Sequence, residues 1–184
     1  MHTPASLAEL TARLCMLHHA SLRRAAQAHQ LKAEQLQLMD YLSRANPWSD
    51  TVESSAAYLR LTKGTVSQSI SSLVKRGLLA KHVDTDDHRV RHCTLTPKGR
   101  ALVEEVALGD PFHELPAHMV PLLTPALRTL LDALERAPAE QAFGACGDCA
   151  HRTSRDQQPW CAKLERALQP EHMHKLCRFW STSS

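Results

Sequence analysis

The segment from Thr62 to Gly77 constrains the fold more than any other, because both of its ends are written in the sequence. Thr62 suits an N-cap, where a hydroxyl accepts a bond from an otherwise unpaired backbone N–H of the first helical turn. Lys75 and Arg76 complement the negative end of the helix dipole, and Gly77 is placed for a left-handed C-cap. Val66, Ile70, Leu73 and Val74 form an apolar stripe at helical spacing. The remaining face holds Thr65, Ser67, Gln68, Ser69, Ser71 and Ser72 and no acidic residue, so it is short, polar and able to enter a groove.

The flanking segments place this helix in a sequence of elements. Leu7, Leu10, Leu14 and Leu17 recur at three- and four-residue steps and predict an amphipathic helix to about Gln30. A second helix spans about Lys32 to Ala45, with Leu36, Leu38, Met39 and Leu42 apolar, and Asn46-Pro47 ends it. Thr51 or Ser49 can cap a short third helix containing Val52, Ala56, Ala57 and Leu59. Beyond Gly77, Leu78 to Val83 and Val90 to Leu95 read as two strands around the turn Asp84-Thr85-Asp86-Asp87-His88-Arg89. Thr96 caps a helix that starts at Pro97 and runs to about Leu108. Gly109 to Pro125 holds four prolines and reads as a broken connection with short helical turns. A last helix, about Pro125 to Arg136, carries Leu127, Leu130, Leu131 and Leu134. With aromatic residues at 4% and long Leu/Ala-rich stretches, a sandwich of many short strands is not expected. The expected class is mostly α with a small β-hairpin.

Charge separates one block from the rest. The net charge is only +3, yet residues 60–100 hold 9 Lys/Arg against 3 Asp/Glu, while residues 101–145 hold 2 against 7. A local excess of that size marks a surface that meets phosphates. Helix, helix, capped hydroxyl-rich helix and basic hairpin is the order of a winged helix-turn-helix, in which the third helix enters the major groove and the hairpin carries a cation to the backbone or minor groove.

At this point the sequence resembles a known family. Residues 32 to about 108 look like the multiple-antibiotic-resistance regulator (MarR) family in Lys75-Arg76-Gly77-Leu78, in Asp84-x-x-Asp87-x-Arg89 and in Leu95-Thr96-Pro97-Lys98-Gly99. The resemblance implies a DNA-binding transcriptional regulator. It implies that Thr62, Lys63, Thr65, Ser67 and Gln68 lie on the contacting turns, that Arg89 reaches into the minor groove, and that Asp87 orients Arg89. Gln68 and Ser72 depart from the family, standing where basic side chains are frequent. It further implies an intertwined helical homodimer, built from the N-terminal helix and the Leu-rich helix at 127–134, on a pseudo-palindromic double-stranded operator. The chain then divides into 1–31 for dimerisation, 32–108 for DNA binding, 109–142 for dimerisation again, and 143–184.

That last segment needs its own account, since the resemblance gives it no function. Cys146, Cys149, Cys161 and Cys177 fall there with spacing C-x2-C-x11-C-x15-C. In a reduced compartment such a set reads first as a metal site. Four thiolates can hold an iron–sulfur cluster, most simply [4Fe–4S], or zinc. Only one tight C-x2-C turn is present, which favours the cluster. Four of the chain's eight aromatics, Phe143, Trp160, Phe179 and Trp180, lie beside these cysteines and could shield it, and Arg152, Arg155, Lys163, Lys175 and Arg178 could offset its charge. Cys15 and Cys93 read as packed thiols. Because the module follows the Leu-rich helix directly, it is expected to act on that helix.

Other classes are set aside on sequence grounds. There is no run of about 18 apolar residues for a membrane span, and the N-terminus lacks the basic-then-apolar order of a signal peptide, so a cytoplasmic location is expected. No P-loop, G-x-S-x-G, H-E-x-x-H or dinucleotide fingerprint is present, so no enzyme is expected. The sequence therefore points to a regulator whose cysteine module senses redox state, oxygen, nitric oxide or iron. The alternatives are a repressor with a structural zinc site and a small-molecule ligand, and an iron–sulfur enzyme of DNA processing or electron transfer.

Overall fold

Ser6 opens the first helix with a reciprocal cap, its hydroxyl accepting the Glu9 N–H at 3.2 Å while the Glu9 carboxylate accepts the Ser6 N–H at 2.7 Å. The structure is a computed structural model and describes residues 6–85, 87–108, 115–135 and 142–181. Helix α1 (Leu7–Ala28) leads to α2 (Ala33–Arg44), α3 (Val52–Leu59) and α4 (Lys63–Lys75). Thr51 caps α3 through Ser54 N, and Thr62 caps α4 through Thr65 N at 3.1 Å. Arg76 is the C-cap of α4, with Gly77 just beyond it at φ +68°. Strands β1 (Leu79–Val83) and β2 (Arg91–Leu95) pair antiparallel, Leu79 opposite Leu95 and Val83 opposite Arg91. Thr51 adds a bridge to His92, so the turn before α3 is tied to the hairpin.

Helix α5 (Pro97–Leu108) follows, and the Thr-Pro-Lys-Gly run explains how it closes on α4. Thr96 Oγ1 donates to Gly77 O at 2.7 Å and accepts Gly99 N–H at 3.1 Å. A Cβ at Gly99 would stand 2.1 Å from the Leu78 carbonyl oxygen, so only glycine permits this approach. One core joins these pieces: Leu36, Leu38, Met39 and Tyr41 of α2, Val66, Ile70 and Leu73 of α4, and Leu78, Leu79, Cys93 and Leu95 of the hairpin are buried together. Val74 is only partly buried.

Helix α6 (Val120–Glu135) begins five residues earlier than the leucine pattern indicates, after a 3-10 turn at Ala117–Met119, and Pro125 lies inside it. Pro121 sits in its first turn, where no intrahelical N–H is needed. The start of the expected connection, residues 109–114, lies outside the described residues, as do Asp86 and Arg136. On the single chain Leu7, Leu10, Leu14 and Leu17 of α1 and Leu122, Leu127, Leu131 and Leu134 of α6 are all exposed. Cys15 is exposed as well, which corrects its reading as a packed thiol, whereas Cys93 is fully buried. No helix among the described residues is long and apolar enough to cross a membrane.

The remaining chain is a small β-rich module. Strand β3 (Gly144–Ala145) pairs with β7 (Leu176–Cys177), and β4 (Arg152–Arg155), β5 (Gln158–Cys161) and β6 (Arg166–Ala167) form an antiparallel sheet in sequence order. Trp180 packs on Gly144, where a Cβ would stand 2.4 Å from the indole.

The module docks on the lobe formed by α2 to α5 and the hairpin. Leu176 bridges Ala45 and accepts the Asn46 N–H at 2.9 Å, and Lys175 Nζ donates to Ser43 O at 2.6 Å. Phe143 meets the stacked rings of Tyr41 and Tyr58 edge-on. The module's anchoring bonds run to the end of α2, the turn after it, and α3.

Candidate nucleic-acid interface

Helix α4 presents its polar face outward because Val66, Ile70 and Leu73 are drawn into the core. Thr62, Lys63, Thr65 and Gln68 are exposed and Ser67 is half-buried. Thr62 and Thr65 are also joined to each other, hydroxyl to hydroxyl, at 2.9 Å. They therefore serve the cap as well as the surface. The Lys63 ammonium pairs closely with the Glu53 carboxylate of α3, a contact that lowers the Glu53 pKa.

At the hairpin tip Asp87 takes the Arg89 guanidinium with both oxygens, Nε at 3.1 Å and NH2 at 3.2 Å, and accepts the Arg89 backbone N–H at 3.0 Å. The hydrogen bonds from Arg89 hold the Asp87 carboxyl below the ordinary carboxylate range. Arg89 is nevertheless 92% exposed, so the fork is aimed and open to solvent at once. Asp84 accepts the Asp87 N–H at 2.8 Å, which fixes the turn that carries the pair.

Sequence reasoning missed what holds the hairpin to the body. His92 lies between two carboxylates, its Nδ1 on Asp50 and its Nε2 2.9 Å from Asp84 Oδ2. Burial opposes charge on this ring, but the bonds to Asp50 and Asp84 prevail and raise its pKa. Burial also lifts the Asp50 pKa, against the pull of His92. In the sequence His92 is one of 12 histidines, and no spacing signals its role.

The cysteine module gathers its thiols unevenly. Cys146, Cys161 and Cys177 are buried in one small cluster with Leu168, against Trp48, Phe179 and Trp180, and Cys149 is half-buried. Asn46 Nδ2 donates to Cys146 Sγ at 3.5 Å and Phe179 N–H donates to Cys177 Sγ at 3.4 Å. The neighbouring Cys146 thiol, with the Phe179 N–H, lowers the Cys177 pKa, while Cys177 and burial raise that of Cys146. The buried sulfurs and their N–H donors are the chemistry that holds a soft metal or cluster. Among the described residues, however, no three His, Cys, Asp or Glu side chains stand in a ligating arrangement. The expected charge partners are dispersed: Arg155 lies over the Trp160 ring, Lys175 serves Ser43, and Arg178 turns to α3.

Two cavities flank these features. One, about 320 Å³, lies between α1, α2, α3 and α5 and is lined by Ser21, Leu22, Asp40, Arg44, Tyr58 and Val103. The other, about 680 Å³, lies between α2, β2, α5 and the module.

Residues 29–90 match the family model described as the MarR family. The fold is the winged helix of MarR-like structures. It is similar to wild-type MarR from Escherichia coli without ligand, at 20% identity over 70% of this chain and 99% of that one, with a TM-score of 0.57. It is similar to the MepR–DNA complex from Staphylococcus aureus, at 20% identity over 70% and 98%, with a TM-score of 0.54. It is also similar to Bordetella bronchiseptica BpsR, whose structure addresses regulation of DNA binding by 6-hydroxynicotinic acid, at 26% identity over 72% and 97%, with a TM-score of 0.53. Each alignment leaves more than a quarter of this chain unmatched. No curated protein sequence matches it significantly.

Proposed function

We propose that this chain is a homodimeric, DNA-binding transcriptional regulator whose cysteine module holds an iron–sulfur cluster and reports redox state, oxygen, nitric oxide or iron. The observation that carries the DNA-binding reading is the Asp87–Arg89 fork, exposed at the hairpin tip beside the acid-free face of α4. Thr62, Lys63, Thr65, Ser67 and Gln68 would meet base edges and phosphates from that face, and Arg89 the minor groove. The exposed leucines of α1 and α6 suit a second copy, since two amphipathic helices with uncovered stripes bury them best against each other.

Cys146, Cys149, Cys161 and Cys177 would hold the cluster, whose chemistry is gain, loss or alteration by oxidants or iron. The support is the burial of three thiols in one cluster with aromatic cover and N–H donors on two sulfurs. The experiment is anaerobic purification followed by a visible spectrum. A broad visible band that is lost on Cys→Ser exchange at any of the four positions, but kept at Cys15 and Cys93, is the expected result. A colourless protein with stoichiometric zinc would replace the cluster with a zinc staple. Selection of duplexes from a random-sequence pool tests DNA binding, and failure to enrich any sequence overturns it.

A second reading has its own support. The cavity beside Arg44 and Tyr58 has an aromatic wall and a guanidinium that an organic anion would have to share with Asp40, its ion-pair partner in the same lining. BpsR provides an example of a similar fold whose DNA binding answers to a small aromatic acid. Release of the selected duplex by 6-hydroxynicotinic acid, used as the probe, would support ligand control alongside the cysteines.

A further inference from the structure

The strand that carries Cys177 ends against the DNA-binding lobe, and the next residue makes the connection. Arg178 donates its backbone N–H to Ser49 Oγ at 2.9 Å and its NH1 to Ser54 Oγ at 3.3 Å. Ser49 and Ser54 are fully buried, so both bonds are sheltered from water. The same NH1 stands 3.8 Å from Glu53 Oε2. Glu53 Oε1 meanwhile pairs with Lys63 Nζ, at the first residue of α4. One carboxylate thus serves two cations, one fixed to the module and one at the start of the helix that faces the groove.

We propose that Arg178 is a positioning residue that sets, through Glu53, how much of the Lys63 charge is available to a DNA phosphate, and so carries the state of the cysteine module to α4. The inference rests on the DNA-binding reading above and deepens it. With Arg178 in place, its charge offsets part of Glu53, and Lys63 meets a phosphate with less competition. When Arg178 withdraws, Glu53 holds Lys63 alone and repels the incoming phosphate. Arg178 follows Cys177 directly, so a change at Cys177 that displaces the backbone would also displace the Arg178 N–H bonded to Ser49. Glu53 and Lys63 are 56% and 67% exposed, which limits the effect on affinity to about two- to fivefold.

The test compares full-length wild type with Arg178→Gln, Glu53→Gln and the double variant, using two readouts. One is anisotropy on a duplex enriched from a random-sequence pool. The other is Lys63 acylation by acetic anhydride, read by peptide mass spectrometry in the absence of DNA. Arg178→Gln should weaken binding and slow Lys63 acylation, whereas Glu53→Gln should strengthen binding and speed acylation. The double variant should match Glu53→Gln in both, an outcome that partial unfolding by Arg178→Gln would not produce. Additive effects, or an unchanged Lys63 in Arg178→Gln, overturn the proposal. Cys177→Ser should also slow Lys63 acylation, and an unchanged rate removes the link to the cysteines. If no duplex is enriched, the DNA-binding reading fails, and the acylation pattern alone still decides whether Arg178 acts on Lys63.

Discussion

Arg89 and His92 show how far apart two residues of one hairpin can be in what they ask of the protein. Arg89 costs the fold nothing to expose, because Asp87 orients it without burying it. Arg89→Ala should weaken operator binding by about 1–3 kcal/mol while leaving the melting temperature in place. A salt titration should lose about one unit of slope if the contact is to phosphate. His92 is the reverse case, a ring 17% exposed that braces the hairpin from inside. Its pKa is raised in the folded chain, so its contribution to stability is full below the ordinary value of 6.5 and fades as pH rises through the raised one. Hydrogen exchange of the hairpin amides should accordingly quicken, relative to intrinsic rates, across that window. His92→Gln should flatten the pH dependence, and a wild-type profile in the variant would exclude the brace.

At the scale of elements, the exposed stripes of α1 and α6 carry the next expectation. Leu14→Asp should convert dimers to monomers or aggregates in sedimentation, because a carboxylate would be buried unpaired on both copies of a two-fold interface. Wild-type monomers would contradict the premise. These stripes were legible in the sequence, as were α2 to α5 and the hairpin, because helical spacing, caps at Thr51, Thr62 and Thr96, and a turn of acidic residues are local signals. The start of α6 was misread because prolines count as breakers, although one in the first turn removes no bond. The docking of the module was illegible for a different reason. Asn46, Ser49 and Ser54 look like ordinary turn and cap residues, and only tertiary packing makes them fully buried partners of residues a hundred or more positions away. The roles of Arg178 and His92 were hidden likewise, since each depends on groups brought from distant parts of the chain.

At the scale of the whole molecule, the cysteine module is joined to the winged-helix lobe and is not a detachable appendage. Ser49 and Asn46 sit at the entrance to α3 and take bonds from Cys146, Leu176 and Arg178 or give bonds to them. Ending the chain before Leu176 should take the partners from the Asn46 backbone N–H and the Ser49 hydroxyl, both buried, at about 1–3 kcal/mol for each one that finds no water. Denaturant unfolding of residues 1–175 should thus show a less stable winged-helix lobe, and unchanged stability would mean that the turn repacks. The same seam orders events at the ribosome. Helices α2 to α4 leave the exit tunnel long before Arg178 is made, and at synthesis rates of about 5–20 residues per second the lobe waits several seconds with its central turn incomplete. A nascent chain that stalls before Arg178 is made carries the winged-helix lobe without its closing strand, so the lobe completes its packing well after its own helices have been synthesised.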